Sequence, residues 1–399
     1  MSCFEGVRVL ELGSTIAGPF AARLMADFGA DVVKVEPPEG DAVRAMGAHA
    51  KGVSLYAASL MRGKSIVALD LRRAEARAAV RRIAATMDVV IENFRPGTLE
   101  RWDLGYETLS KENRGLILAR VSGYGQDGPY CKRPGYGVNG EAMSGLRDLT
   151  GDPDRPPPRV ATSLTDYIAG TYTAFGIAAA LYHRCATGYG QVIDTALTEA
   201  AMSYVEPHIP AYDATGVAAT RAGSRLAGAS PNALFPTRDG HIHIAAFSQS
   251  AFARLAAAMD APELVGDPKF KTAAARNAHV DALEAVIGAW SARWEGAALE
   301  DHLVAAGVPA SRIFGIADLF TDPHMAARNA LVRSPHPVLG TLAVAGIVPK
   351  LSATPGKVGR LGGAIGVDSR ATLERLGFSA QEIAALGSDP APRKDAAHV

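Results

Sequence analysis

The chain has 399 residues, 48% of them hydrophobic, enough for two domains around a large core. Lysine plus arginine and aspartate plus glutamate each number 41, so the net charge is near zero and offers no field for nucleic acid or an anionic membrane surface. The scattered Cys3, Cys131 and Cys185 exclude a disulfide framework and a cysteine zinc site.

The N-terminal MSCFEGVRVLEL has no basic leader, and no window reaches the apolar length of a membrane span, so a cytoplasmic protein is expected. Residues 7–12 form an apolar run of strand length. A turn follows at 13–19 (GSTIAGP), then a helical run at 20–28 with Phe20, Leu24 and Phe28, and a second strand at 30–36. This β-α-β order predicts a parallel sheet. It imitates a dinucleotide fold, because Glu36 falls near the place of a ribose-binding acid. The glycine fingerprint fails in detail, with Thr15 where backbone would have to approach a pyrophosphate.

Arg44 ends the polar loop EGDAVR and could pair with a carboxylate or phosphate, or lie free on the surface; spacing does not choose. RGKS at 62–65 imitates the end of a phosphate loop. Ala58 stands where the leading glycine belongs, however, and SIVALDL reads as a strand, which rules that loop out. Arg62 and Lys64 could still meet phosphates as point charges. A helix at 73–87 and a strand at 88–92 continue the alternation. Asn93, Phe94 and Arg101 then fall at a strand's carboxyl end, where doubly wound sheets gather ligands. They suit an amide contact, a stacking face and an anion clamp, or else a capped loop with a packed Phe.

A strand at 116–122 leads to glycine-rich loops at 123–130 and 134–145 and a proline-rich loop at 151–158. Residues 160–184 read as a helix with Thr162, Ser163 and Thr165 as capping oxygens. Asp166 falls in its first turn, where unpaired N–H groups and the helix dipole favour an ionised carboxylate. The pattern also fits an ordinary acidic helix start. Small residues follow (Ala169, Gly170, Thr171, Ala174, Gly176), leaving room for a close backbone or ligand.

A strand at 191–196 and a helix at 198–205 close a large domain, residues 1–205. Residues 206–230 read as a linker and 231–330 as a small domain, with a strand at 241–246 and helices after it. Residues 331–399 read as a C-terminal segment returning to the large domain, strand-like at 341–349 and helical at 369–376 and 380–386. His241 and His243 share a strand face without a third ligand, so no metal site is expected. The tail beyond Gly387 reads as disordered.

Taken in order, VRVLELGSTIAGP, DFGADVVKVEPPEGD, RGKSIVALDL, VIENFRPGTLERWDLGYETL, SGYGQDGPY, TDYIAG…ALYHR…TGYGQVIDTAL and LFPTRDGHIHIA resemble the family III (CaiB/BaiF-type) CoA-transferases. The resemblance runs over about residues 5–380. It implies an α/β fold: a Rossmann-like parallel-sheet large domain plus a smaller α+β domain, in an interlocked homodimer. It implies coenzyme A or an acyl-CoA as substrate, no tightly bound cofactor, and a second copy of the chain and a carboxylic acid as partners.

The family's catalytic residue is an aspartate at the start of the helix after the proline-rich loop, and Asp166 matches it. The implied chemistry passes CoA through an aspartyl anhydride and an aspartyl-CoA thioester, with backbone N–H groups of the glycine-rich loops on the oxyanions. CoA contacts carry over to Thr15, Ile16, Ala17, Arg62, Lys64, Asn93, Phe94, Arg101 and Tyr136.

Two branches of the family fit less well. The racemase branch needs a histidine followed by an acid where this chain has Gly135-Tyr136-Gly137, so the proton-shuttling pair is missing. Formyl-CoA transferase has a glutamate where Gly137 stands, Glu141 being nearby but not equivalent, and a run of glycines where this chain has Leu226-Ala227-Gly228-Ala229. The chain is closer to the branch that moves CoA between dicarboxylates such as succinate, glutarate, malate, citramalate or mesaconate. Arg44 or Arg225 is expected to hold the far carboxylate, and a 2-methylacyl-CoA racemase is the alternative.

Overall fold

The computed structural model describes residues 2–387. The disorder expected beyond Gly387 lies outside them. Six strands, β1 (Arg8–Glu11), β2 (Asp31–Glu36), β3 (Lys64–Ala68), β4 (Val89–Glu92), β5 (Ile117–Ser122) and β6 (Val192–Ala196), form one parallel sheet in the order β3-β2-β1-β4-β5-β6. The sequence order turns back between β1 and β4, and the crevice outside their carboxyl ends is where such sheets bind ligands.

Both faces of the central strands are covered, which is why their middles are apolar and buried. Leu10, Val33, Val90 and Leu118 pack on one face with Val80 and Ile83 of α2 (Ala74–Ala84). Val9, Val32, Ile91 and Ile117 pack on the other with Ala21 and Met25 of α1 (Ala17–Asp27) and with Ile177 and Ala180. Each fully buried Val, Leu or Ile contributes about 1.5–3 kcal/mol. The edge strand β3 is closed by the C-terminal segment. There the Ile66 N–H donates to Asp368 Oδ2 at 2.9 Å and the Ala68 N–H to Ser369 Oγ at 3.0 Å, so two groups that a free edge would expose are satisfied.

Two shorter helices, α3 (Gly137–Met143) and α5 (Leu197–Met202), flank the long α4 (Leu164–Thr187). α4 starts later than expected from the sequence. Ser163 takes the N-cap position, but its side chain makes no capping bond. Gly170 is where α4 meets α1: a β-carbon there would lie 2.8 Å from the Ala17 carbonyl oxygen, so the small residue permits the crossing.

The chain divides into two compact units. One comprises Met1–Arg147, Arg159–Ala214 and Ala326–Val399; the other comprises Asp148–Pro158 and Thr215–Met325. The second unit has an antiparallel sheet of Asn232–Pro236, His241–Ala245 and Ala310–Arg312, with a core of Phe235, Ile242, Ile244, Phe252, Leu283 and Leu299. In the first unit, Leu331–His336 and Gly340–Ala345 form an antiparallel hairpin. A helix at His208–Thr215, ending where the second unit resumes, lies within the stretch expected to be a linker. No helix among the described residues is long and apolar enough to cross a membrane.

Candidate active site

A cavity of about 340 Å³ opens at the crevice between the ends of β1 and β4. Ser14, Thr15 and Ala17 line it from the loop after β1, and Asn93 and Phe94 from the loop after β4. Gly135, Tyr136 and Asp166 close the far side.

The loop after β1 is built on buried charge. Thr15 stands at φ +70°, a left-handed conformation that a non-glycine residue adopts only when its surroundings hold it there. Asp41 supplies the hold: its Oδ1 accepts from the Thr15 N–H at 3.0 Å, the Ser14 hydroxyl at 3.2 Å and the Val43 N–H at 2.9 Å. Beneath, the Lys34 ammonium reaches Asp41 Oδ2 at 2.7 Å, Glu11 Oε1 at 2.8 Å and the Gly13 carbonyl at 2.9 Å. Asn93 clamps the same loop from the side, accepting from the Ser14 N–H and donating to the Ser14 carbonyl, each at 2.7 Å. One N–H and one oxygen lone pair of its amide thus go to the loop.

Arg62 and Lys64, expected at phosphates, are turned inward. Arg62 forms a two-pronged pair with Asp27, at 2.9 and 2.7 Å, and donates to the Ala345 carbonyl. Lys64 donates to Glu11 Oε2 at 2.6 Å and to the Pro19 carbonyl. Burial pulls the Lys64 ammonium down to a pKa of about 8, against the attraction of Glu11. Arginine and lysine at a strand entrance read alike whether they face a ligand or the core; the buried acids Asp27 and Glu11 settle it.

Phe94 is held for contact. Its N–H donates to Glu92 Oε2 at 2.7 Å, and its ring meets Trp102 edge-on at 5.2 Å. It also borders a second cavity of about 240 Å³, lined by Glu36, Asp70, Arg72 and Trp102. Arg101 is exposed, donates to Thr98 Oγ1 and lines neither cavity; Ile16 is buried at the start of α1. Tyr136 is exposed at the rim of the larger cavity. Two cations that the sequence reasoning passed over, Arg95 and Arg133, line that cavity, Arg133 stacking on Tyr130 at 3.5 Å. Both lie within or beside the quoted motifs, in ENFRPG and CKRPGYG, and were legible there.

Neither arginine expected at a substrate carboxylate is free. Arg44 donates from Nε and Nη2 to the two oxygens of Glu36, at 2.7 and 2.8 Å, and from Nη1 to the Gly363 carbonyl. Arg225, in the second unit, pairs with Glu284 and Asp281.

Asp166 sits in the first turn of α4, half-buried and facing Gly137 of α3. Withdrawal from water raises its carboxyl from the ordinary 3.8 to about 6, and its own backbone N–H and the Arg159 charge only partly offset that. The helix start alone suggested a carboxyl held down; burial outweighs it. At neutral pH the group is still an anion, poorly solvated and directed at an organic ligand's space, which suits a nucleophile.

The family model for CoA-transferase family III matches residues 4–369. The chain is 44% identical over 386 residues to a succinyl-CoA–D-citramalate CoA-transferase of Chloroflexus aurantiacus, covering 96% of each. It is 36% identical to a succinyl-CoA:mesaconate CoA-transferase of Haloarcula hispanica, with 83% of this chain and 85% of that protein covered. The fold superimposes on the crystal structure of a CaiB/BaiF family protein from Brucella suis with a TM-score of 0.85 and 33% identity, covering 94% of this chain and 99% of that one.

Proposed function

The chain belongs to CoA-transferase family III, and on that premise we propose that it moves CoA from succinyl-CoA or a similar thioester to a second dicarboxylic acid, with Asp166 as the covalent centre. The observation that carries this reading is the Asp166 carboxylate, raised to about 6, in a cavity at the switch point of the sheet. The names of the relatives supply the substrate class: succinyl-CoA paired with citramalate or mesaconate.

In this mechanism an Asp166 oxygen attacks the thioester carbonyl, the C–S bond breaks and CoA thiolate leaves a mixed anhydride. The thiolate then attacks the aspartyl carbonyl, releasing the first acid and forming an aspartyl-CoA thioester. The acceptor carboxylate attacks that thioester, a second anhydride forms, and the thiolate takes the new acyl group, returning Asp166 as the carboxylate. No proton is gained or lost over the cycle. The pantetheine arm fits the larger cavity and the adenosine end the smaller one beyond Phe94, with Arg95, Arg133 and Arg72 as cations near phosphate.

We also place the working protein as a homodimer. Phe175 and Tyr182 on α4 are 72% and 82% exposed, an apolar face that a second copy would cover. Racemisation gains no support, because Gly135-Tyr136-Gly137 stands where that branch carries its histidine and acid, and Asp166 fills the space beside Gly137.

The reading is tested by incubating the protein with succinyl-CoA and citramalate, mesaconate or glutarate and separating the CoA esters. A new acyl-CoA formed by wild type and abolished in Asp166→Asn supports it. Transfer undiminished in that variant, or no transfer to any dicarboxylate, overturns it.

A further inference from the structure

Next to the CoA cavity lies an open chamber of about 470 Å³, lined by Tyr56, residues 159–163 and Tyr167. Asp166 borders the first cavity and its chain neighbours Ser163 and Tyr167 border this one, so the two meet at the start of α4. The side chains lining it carry hydroxyls and one guanidinium, all able to donate. Tyr167 Oη donates to Tyr56 Oη at 2.9 Å, and the Tyr167 ring is steadied edge-on against Phe20 at 4.6 Å. Burial and the Tyr167 hydroxyl hold the Tyr56 phenol above its ordinary pKa, so it keeps its proton.

Among the described residues Arg159 is the one cation that lines the chamber, and no acid lines it. It is exposed and makes no hydrogen bond or ion pair among the described residues. Its charge nevertheless reaches Asp166. Arg44 and Arg225, by contrast, are each held by carboxylates of the protein itself.

We infer that this chamber receives the acid, and that Arg159 binds the far carboxylate of a dicarboxylate whose near carboxylate lies at Asp166. The inference rests on Asp166 being the covalent centre. A guanidinium presents paired N–H groups that match a carboxylate, so it selects a second carboxylate over a methyl end. Arg159 is thus a specificity residue for the acid, and the aromatic hydroxyls complete its cage.

The test compares glutarate with valerate, an acid of the same length without the second carboxylate, as acceptors of CoA from succinyl-CoA. In Arg159→Ala the ratio of kcat/KM for glutarate to that for valerate falls roughly 10- to 100-fold, through acceptor KM. Arg159→Lys recovers part of the ratio, and guanidinium added to the alanine variant recovers part as well. A ratio that does not move, or a wild type that prefers valerate, overturns the inference. Adduct formation on wild-type Asp166, read by mass, separates the two levels. With the adduct present and the ratio unmoved, only the role of Arg159 falls; without the adduct, the covalent reading falls and takes this one with it.

Discussion

Gly137 lies so close to Asp166 that a β-carbon added to it would stand 2.1 Å from Oδ2 and 2.8 Å from Cγ of the carboxylate. No side chain fits there without moving the carboxylate. Because the obstructed group is the end of a side chain, Gly137→Ala should fold and leave the carboxylate turned away. A displacement on the order of 1 Å costs about 100-fold in rate. The expected outcome is a fall in kcat of that size with unchanged circular dichroism; near-wild-type turnover would show that the carboxylate does not need its present position.

The raised pKa of Asp166 gives a pH dependence with a definite sign. The proposed mechanism uses the anion, so kcat/KM for the acyl-CoA should fall as pH drops through about 6, approaching one decade per pH unit below it. A profile flat down to pH 4 would contradict an essential carboxyl raised by burial.

The same shift bears on stability. A carboxyl whose folded pKa lies above its unfolded value binds protons more tightly when folded, so stability is lost as pH rises from about 4 to about 6. Asp166→Asn removes the poorly solvated charge and should raise stability at pH 7.5 by roughly 1–3 kcal/mol, with the gain fading as pH falls from about 6 to about 4. Chemical denaturation at both pH values checks this.

Cations in the core and cations at the cavity should separate cleanly. Lys64→Met leaves Glu11 short of one partner in a dry site and should cost about 3–5 kcal/mol. Arg95→Ala and Arg133→Ala should leave thermal stability nearly unchanged and raise KM for acyl-CoA, each by roughly 3- to 10-fold at low salt. Melting curves beside KM values distinguish these outcomes.

Asp41→Asn should loosen the loop after β1. It removes the buried charge that pairs with Lys34 and weakens the hold on Thr15 at positive φ. A rise in KM for acyl-CoA with a loss of roughly 3 kcal/mol is expected, and denaturant titration with steady-state kinetics measures both.

The parallel sheet was legible because its strands are short apolar runs separated by helical periodicity, and the turn after Leu12 was legible from its glycines. The position of Asp166 followed from the loop and helix pattern, and the whole set of motifs pointed to the family. The fate of individual charges was not legible. Arg62 and Lys64 find acids distant in sequence, Asp27 and Glu11, and Arg44 finds Glu36, which the sequence offered only as the imitation of a ribose-binding acid. Arg159 escaped notice for the opposite reason: it sits in a proline-rich loop with no pattern, and its meaning comes from Tyr56, 103 positions earlier in the chain and beside it in space. The pKa of Asp166 also depends on burial that a helix-start argument cannot supply.

The most direct test of the central claim is the intact mass of the protein after incubation with succinyl-CoA, with borohydride or hydroxylamine trapping and peptide mapping. The account predicts a CoA adduct or trapped derivative on the peptide containing Asp166 in wild type, and none in Asp166→Ala. An adduct that persists in that variant, or no adduct in a wild type that transfers CoA, would contradict it.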